Sequence, residues 1–432
     1  MRISPIVVAI LSAAGAFCVL ATGALAGPVE SAQLGPHPFY LVDKMSDGPL
    51  KDELKHCMDS KKQYKPSPFS IGHRGAGLQF PEHTRESYTA AARMGAGIIE
   101  CDVTFTKDSA LVCRHSQCDL HRTTDILLHP DLAAKCTVPP AFDPNTGALL
   151  NGPEIKCCTS NLTLAEFKSL KGKMDGADTS ARTVEAYLKG TPDFRTDLHS
   201  TGGTLMTHAE SIQLIKSFGA QFTPELKGVD SRVGFDGTGL DQQTYARKMI
   251  GEYIAAGIDP RRVWAQSFNI DDILLWISEF PAFGKQAVYL DGRNPAKVAA
   301  SPPTVAAFAA LKDKGVNIIA PPMPTLLQSG PGGAIVPSPY AKRAREAGLD
   351  IISWTTERSG RIVEDVLNGS QKYFYRTTLD SLKNDGDILR TIDVLAQDVG
   401  IIGLFSDWPA TTTFYANCKH VNTGHDGKGN RR

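Results

Sequence analysis

Ile71 to Ser116 reads IGHRGAGLQFPEHTRESYTAAARMGAGIIECDVTFTKDSALVCRHS, and its periodicity changes within a few dozen residues. Phe69 to His73 and Ile98 to Phe105 are apolar runs of strand length, while Thr84 to Met94 between them has helical spacing. Strand, helix and strand in that order form a unit whose two strands lie parallel, with the helix packed on one face. Ala110 to Arg114 is a further strand-like run close behind the second.

The same alternation continues to the end of the chain. Candidate strands follow at Gln221 to Leu226, Arg262 to Phe268, Gln286 to Leu290, Val316 to Ile319, Asp350 to Trp354 and Ile401 to Phe405. Candidate helices lie at His208 to Phe218, Asp241 to Ala256, Asp271 to Glu279, Pro303 to Lys314, Tyr340 to Ala347 and Ile388 to Gln397. If Ala110 to Arg114 only extends the second strand as a hairpin, eight β units remain, the count of an α/β (β/α)₈ TIM barrel. Such a barrel takes roughly 250 residues, and the excess here falls between His115 and His208. That stretch is rich in Pro, Gly, Asp and Cys and has one short helical candidate, Leu164 to Leu170. Irregular sequence of that length inside a compact domain marks a functional insertion or a subdomain. The expected organisation is a barrel over 69–416 with an inserted cysteine-rich subdomain at 116–207, an N-terminal extension over 27–68 and a polar tail over 417–432.

Composition limits the function. The 46 basic and 46 acidic side chains cancel, so the chain lacks the surplus of Lys and Arg that a general nucleic-acid binder needs. At the N-terminus, Arg2 precedes an uncharged stretch from Ile6 to Leu25, and Ala24-Leu25-Ala26 before Gly27 has the small-x-small form of a cleavage site. Residues 1–26 are therefore expected to be a secretory signal peptide, with no membrane span once it is removed. Beyond Cys18, eight cysteines remain at positions 57, 101, 113, 118, 136, 157, 158 and 418, an even number, as a disulfide framework in an exported protein requires. Their pairing is not determined by spacing. The expected location is extracellular, or periplasmic in a bacterium.

The opening stretch also concentrates reactive groups. Glu100 and Asp102 are two apart on a strand, so both carboxylates project from one face while Cys101 points away. A solvated strand face is the simpler explanation, but Ile98, Ile99 and Val103 point to a buried strand, where unpaired carboxylates are expensive. Paired carboxylates there suit one hard divalent cation, Mg²⁺ or Ca²⁺. His73 and His115 each stand at a strand end, where a barrel presents catalytic groups. Farther on, TPELKG places Glu225 at another strand end with Lys227 on the same side, and Arg74 offers a planar fork for a phosphate. Two imidazoles, three carboxylates and two cations suit the cleavage of a phosphate ester.

GHRG, PEHT, ECDV followed by TKD, the strand ending in His115, LHRTT (Leu120 to Thr124), PELKG, SWTTE (Ser353 to Glu357) and FSDWP (Phe405 to Pro409) together resemble the glycerophosphodiester phosphodiesterase family over about 69 to 415. The resemblance implies a (β/α)₈ barrel with a subdomain inserted after the second β unit, and cleavage of glycerophosphodiesters to glycerol 3-phosphate and an alcohol. It implies His73 and His115 as the acid–base pair, Glu100, Asp102 and Glu225 as ligands of one divalent ion, and Arg74 and Lys227 as phosphate holders. Ser116 stands where many members carry Asp after the histidine. Two other readings are a phospholipase D-like enzyme on intact lipids, which would not need the long insertion, and a catalytically silent barrel that binds through it.

Overall fold

The computed structural model of the protein describes residues 27–196, 198–199 and 202–421. The expected signal peptide lies outside the described residues. Eight parallel strands close on themselves: β1 (Ser67–Gly72), β2 (Ala96–Phe105), β3 (Gln221–Leu226), β4 (Gln266–Ser267), β5 (Val288–Leu290), β6 (Ile318–Ala320), β7 (Asp350–Thr356) and β8 (Gly403–Ser406). Closure is direct, because β1 pairs with β2 on one side and with β8 on the other, Gly72 lying opposite both Ile99 and Ser406. Eight helices alternate with them: α1 (Arg85–Arg93), α2 (His208–Ser217), α3 (Gln242–Ala255), α4 (Ile270–Glu279), α5 (Val305–Asp313), α6 (Pro339–Glu346), α7 (Asp387–Asp393) and α8 (Ala410–Cys418). The fold is the expected (β/α)₈ barrel.

Side chains that alternate along each strand separate two cores. Ile71, Ile98, Trp264, Val288, Ile318 and Ile352 fill the inside of the barrel, and a larger apolar layer lies between strands and helices. Side-chain caps start the helices: Thr84 accepts from the Ser87 N–H at α1, and Thr207 and Glu210 form a reciprocal capping box at α2. Gly75 has φ +91°, and a Cβ there would lie 2.3 Å from Ser87 Oγ, so only glycine lets the loop after β1 approach α1 this closely.

Some boundaries differ from the periodicity. The strand expected over Arg262 to Phe268 enters through a 3₁₀ turn at Pro260–Arg262, and its early part meets β3 through an isolated Val263–Phe222 bridge rather than a continuous ladder. The last long helix passes from α7 into a wider π-type turn, Val394–Val399, that stops at Gly400 with φ +72°. At the C-terminus α8 runs on to Cys418, past the expected start of the tail at Asn417, because the Cys57–Cys418 disulfide and Asn417 bonds to Lys65 N and O anchor its end. The N-terminal residues are likewise packed: helices His37–Lys44 and Pro49–Ser60 bury Leu41, Val42 and Leu54 against the barrel.

Leu111–Cys113 turns back on β2 as an antiparallel hairpin, and Cys101–Cys113 ties the two together. The cysteine-rich insertion after this second β unit has its own small core, including Leu120, Ile126, Leu162, Phe167 and Tyr187. The Cys118–Cys158 and Cys136–Cys157 disulfides cross it.

Candidate active site

Parallel pairing carries side chains from distant segments to one end of the barrel. Asp102 on β2 is opposite Glu225 on β3, which is opposite Gln266 on β4. Glu100, two residues before Asp102, shares its face, and Gln266 Nε2 donates to Glu100 Oε1 at 2.9 Å. Oxygens of Glu100, Asp102 and Glu225 all lie within 4.8 Å of one another, and all three residues are buried.

Like charges this close oppose ionisation. Burial, then Asp102 and Glu225, raise the Glu100 carboxyl well above the usual range. Burial pushes Glu225 up to about 7, with Lys227 offsetting only part of it. Asp102 moves the other way: burial disfavours its charge, but Lys227 and His83 hold it well below the ordinary value. His83 Nε2 lies 2.9 Å from Asp102 Oδ2, while Asp102 Oδ1 is buried with no hydrogen-bond partner among the described residues. An oxygen-only cluster with an unpartnered carboxylate oxygen, whose members oppose one another's ionisation until a cation joins them, fits a hard divalent cation.

His73 follows β1 directly. Its Nδ1 lies 2.9 Å from Asp407 Oδ2, and Asp407 also accepts from Thr355 Oγ1 at 3.0 Å and Arg358 Nη1 at 2.8 Å. Burial lowers the His73 imidazole, and Asp407 opposes this. With Nδ1 held by the carboxylate, Nε2 points into the cleft, 3.8 Å from Glu100 Oε2. His115 is partly exposed and its ring makes no hydrogen bond to any described residue; enclosure, then Arg74 and Lys227, press its imidazole well below the usual value. Ser116 does not support it: the Ser116 N–H donates to Asp119 Oδ2 instead.

Two cations face the same space. Arg74 has φ +58°, a strained conformation for a non-glycine residue, held where its N–H donates to Glu100 Oε2 and its guanidinium pairs with Glu82 at 2.9 Å. Lys227 Nζ lies 2.6 Å from Glu225 Oε1. The cleft that His73, Arg74, Glu100, His115, Glu225 and Lys227 line is completed by an apolar wall of Phe268, Leu290, Trp354 and Phe374.

All seven residues singled out in the sequence thus meet at one end of the barrel. The sequence reading missed the residues that hold them. Glu82 and His83 sit in PEHT, Asp407 in FSDWP and Arg358 directly after SWTTE, so the motifs flagged their positions without giving partners. Asp175 of the insertion, 3.5 Å from Arg358, carried no signal in the sequence.

A closed (β/α)₈ barrel with acid–base, cationic and carboxylate groups at its strand ends defines a hydrolase-type site. The profile of the glycerophosphoryl diester phosphodiesterase family matches residues 73–411. The chain belongs to this family, which makes it an enzyme, a phosphoric diester hydrolase. It is 44% identical over 246 residues to an extracellular protein of Arthroderma benhamiae, covering 57% of this chain and 99% of that one. A shorter match, 38% over 85 residues, is to a glycerophosphodiester phosphodiesterase of Arabidopsis thaliana, covering 19% of this chain and 22% of that protein. A Silicibacter pomeroyi protein whose crystal structure carries the same family name shares the fold with a TM-score of 0.52 at 18% identity, over 81% of this chain and 92% of that one.

Proposed function

We propose that the protein is an exported, divalent-metal-dependent glycerophosphodiesterase that releases glycerol 3-phosphate and an alcohol. The observation that carries this reading is the convergence of two imidazoles, three carboxylate oxygens and two cations on one cleft. A cation held by Glu100, Asp102 and Glu225, Mg²⁺ or Ca²⁺ by its ligands, would offset negative charge on the phosphoryl oxygens. Arg74 and Lys227, which line the same cleft, bind the phosphate beside it.

The chain's own groups supply the proton transfers. Asp407 accepts from His73 Nδ1–H, which leaves the Nε2 lone pair free to take the proton of the glycerol 2-hydroxyl as its oxygen attacks phosphorus. The bond from phosphorus to the alcohol oxygen breaks, and His115 gives that oxygen a proton; substrate phosphate charge beside His115 raises its proton affinity in the complex. Water then opens the cyclic phosphate with the two histidines in reversed roles. A hydroxyl already tethered to the phosphate gains from proximity, so glycerol-containing diesters are favoured.

Export is supported by the leader-like first 26 residues, four disulfides and the relative described as extracellular. Among the described residues no helix is long and apolar enough to cross a membrane. The test is glycerol 3-phosphate release from glycerophosphocholine by purified protein, with EDTA and with Mg²⁺ or Ca²⁺ restored. Release that stops with EDTA and returns with metal supports the reading, and a folded sample inactive with every metal overturns it.

A further inference from the structure

Two cavities meet at the proposed phosphate site, sharing Arg74, His115 and Arg358. One is the barrel mouth, about 100 Å³ with its apolar wall. The other opens beneath the insertion and is about 980 Å³. We propose that this larger chamber receives the leaving alcohol and selects a bulky, polyhydroxylated one. The inference rests on the phosphodiesterase reading above and names its substrate class.

Position comes first. His73, which takes the glycerol proton, lines only the barrel-mouth cavity, whereas His115 lines both, so the glycerol end lies in the mouth and the alcohol that takes its proton from His115 leaves toward the insertion. The chemistry of the walls comes second. Asp119, 8% exposed, accepts from Ser116 N at 3.0 Å and from Thr123 Oγ1 at 3.4 Å, and a carboxylate has capacity for further donors. His121 Nδ1 accepts from Cys157 N at 3.4 Å, so its proton sits on Nε2 as a donor. Arg122, Glu154 and Lys156 add charged donors and acceptors of both signs. Among the described residues no Phe, Tyr or Trp lines this chamber, so a quaternary ammonium would find no aromatic cage, whereas an array of hydroxyls matches mixed donors and acceptors. Rigidity comes third. Cys118–Cys158 and Cys136–Cys157 lie next to Asp119 and Lys156 in the chain and fasten the wall before any substrate arrives.

The experiment compares glycerophosphoinositol with glycerophosphocholine on the purified protein, as wild type, Asp119→Asn and Arg122→Ala. Turnover is read as kcat/KM and binding by calorimetry in EDTA. The expected result is about a tenfold preference for the inositol diester in both readouts. Each variant is expected to fall about fivefold further on the inositol diester than on the choline one. Arg122 is exposed, so its replacement keeps the test intact where Asp119→Asn fails to fold. Equal handling of the two diesters by the wild type, or equal losses in Arg122→Ala, overturns the proposal. Selective binding without turnover of either diester overturns the phosphodiesterase reading and leaves the chamber's selectivity standing.

Discussion

The barrel mouth and the insertion solve the problem of positioning side chains in opposite ways. At the mouth, backbone ladders do it: Asp102, Glu225 and Gln266 form a row because β2, β3 and β4 pair in register, leaving their side chains free for chemistry. Among the described residues of the insertion the longest ladder, Lys171–Gly172 with Gly203–Thr204, is two residues on each side. There the side chains hold the backbone. Asn161 Oδ1 accepts from Thr137 N and Cys158 N, Thr163 and Glu166 cap a short helix, and two disulfides supplement scattered backbone bonds such as the Val138–Lys156 pair. The two regions are joined by charge, since Arg358 contacts Asp407 of the barrel at 2.8 Å and Asp175 of the insertion at 3.5 Å, with Arg195 3.6 Å beyond. A regular scaffold frees functional groups, and an irregular one consumes polar groups and cysteines to keep its shape.

That contrast predicts different failures in the two regions. At the mouth, His73→Ala and His115→Ala should each lower kcat roughly 10²- to 10⁴-fold, measured as glycerol 3-phosphate release, with the thermal midpoint little changed. Near wild-type turnover from either variant would remove that histidine from the chemistry. In the insertion, replacing Cys136 and Cys157 together by Ser should destabilise the protein by about 3 kcal/mol, the entropy of closing a loop of this size. Limited proteolysis should then cut first within 116–207, and first cuts within the barrel would refute the separate anchoring of the insertion.

Glu357 sharpens the comparison from inside the scaffold. Burial pushes its carboxyl up to about 7, with hydrogen bonds from Thr356 and Ser406 offsetting only part of that. The folded state therefore holds this proton more tightly than the unfolded chain, and the associated stability is present below about pH 4.5 and lost as pH rises through 7. Glu357→Gln should remove that loss, worth up to about 3 kcal/mol, so denaturant midpoints should favour the variant more at pH 8 than at pH 5. Equal differences at both values would show that the group does not titrate in this window. The smallest effect is expected at the carboxylate cluster, where Glu225→Gln should weaken Mg²⁺ or Ca²⁺ binding about tenfold in a calorimetric titration. Unchanged affinity would strike Glu225 from the ligand set.

Much of the barrel was legible because its signals are local. Apolar runs alternating with helical periods marked the eight strands, and Glu100 with Asp102 declared a shared face through spacing two on one strand. The cysteine count identified the insertion as a stapled region in the same way. Tertiary structure alone decided the partnerships. His73 and Asp407 are 334 residues apart and meet only because β1 and β8 close the barrel. The pairing of Cys118 with Cys158 rather than with adjacent Cys157, and the chamber between Arg358 and Lys156, depend on how the insertion folds over the mouth. Sequence periodicity records which residues face the core; it cannot record which remote segments converge, because that is set by barrel closure and packing across the whole chain.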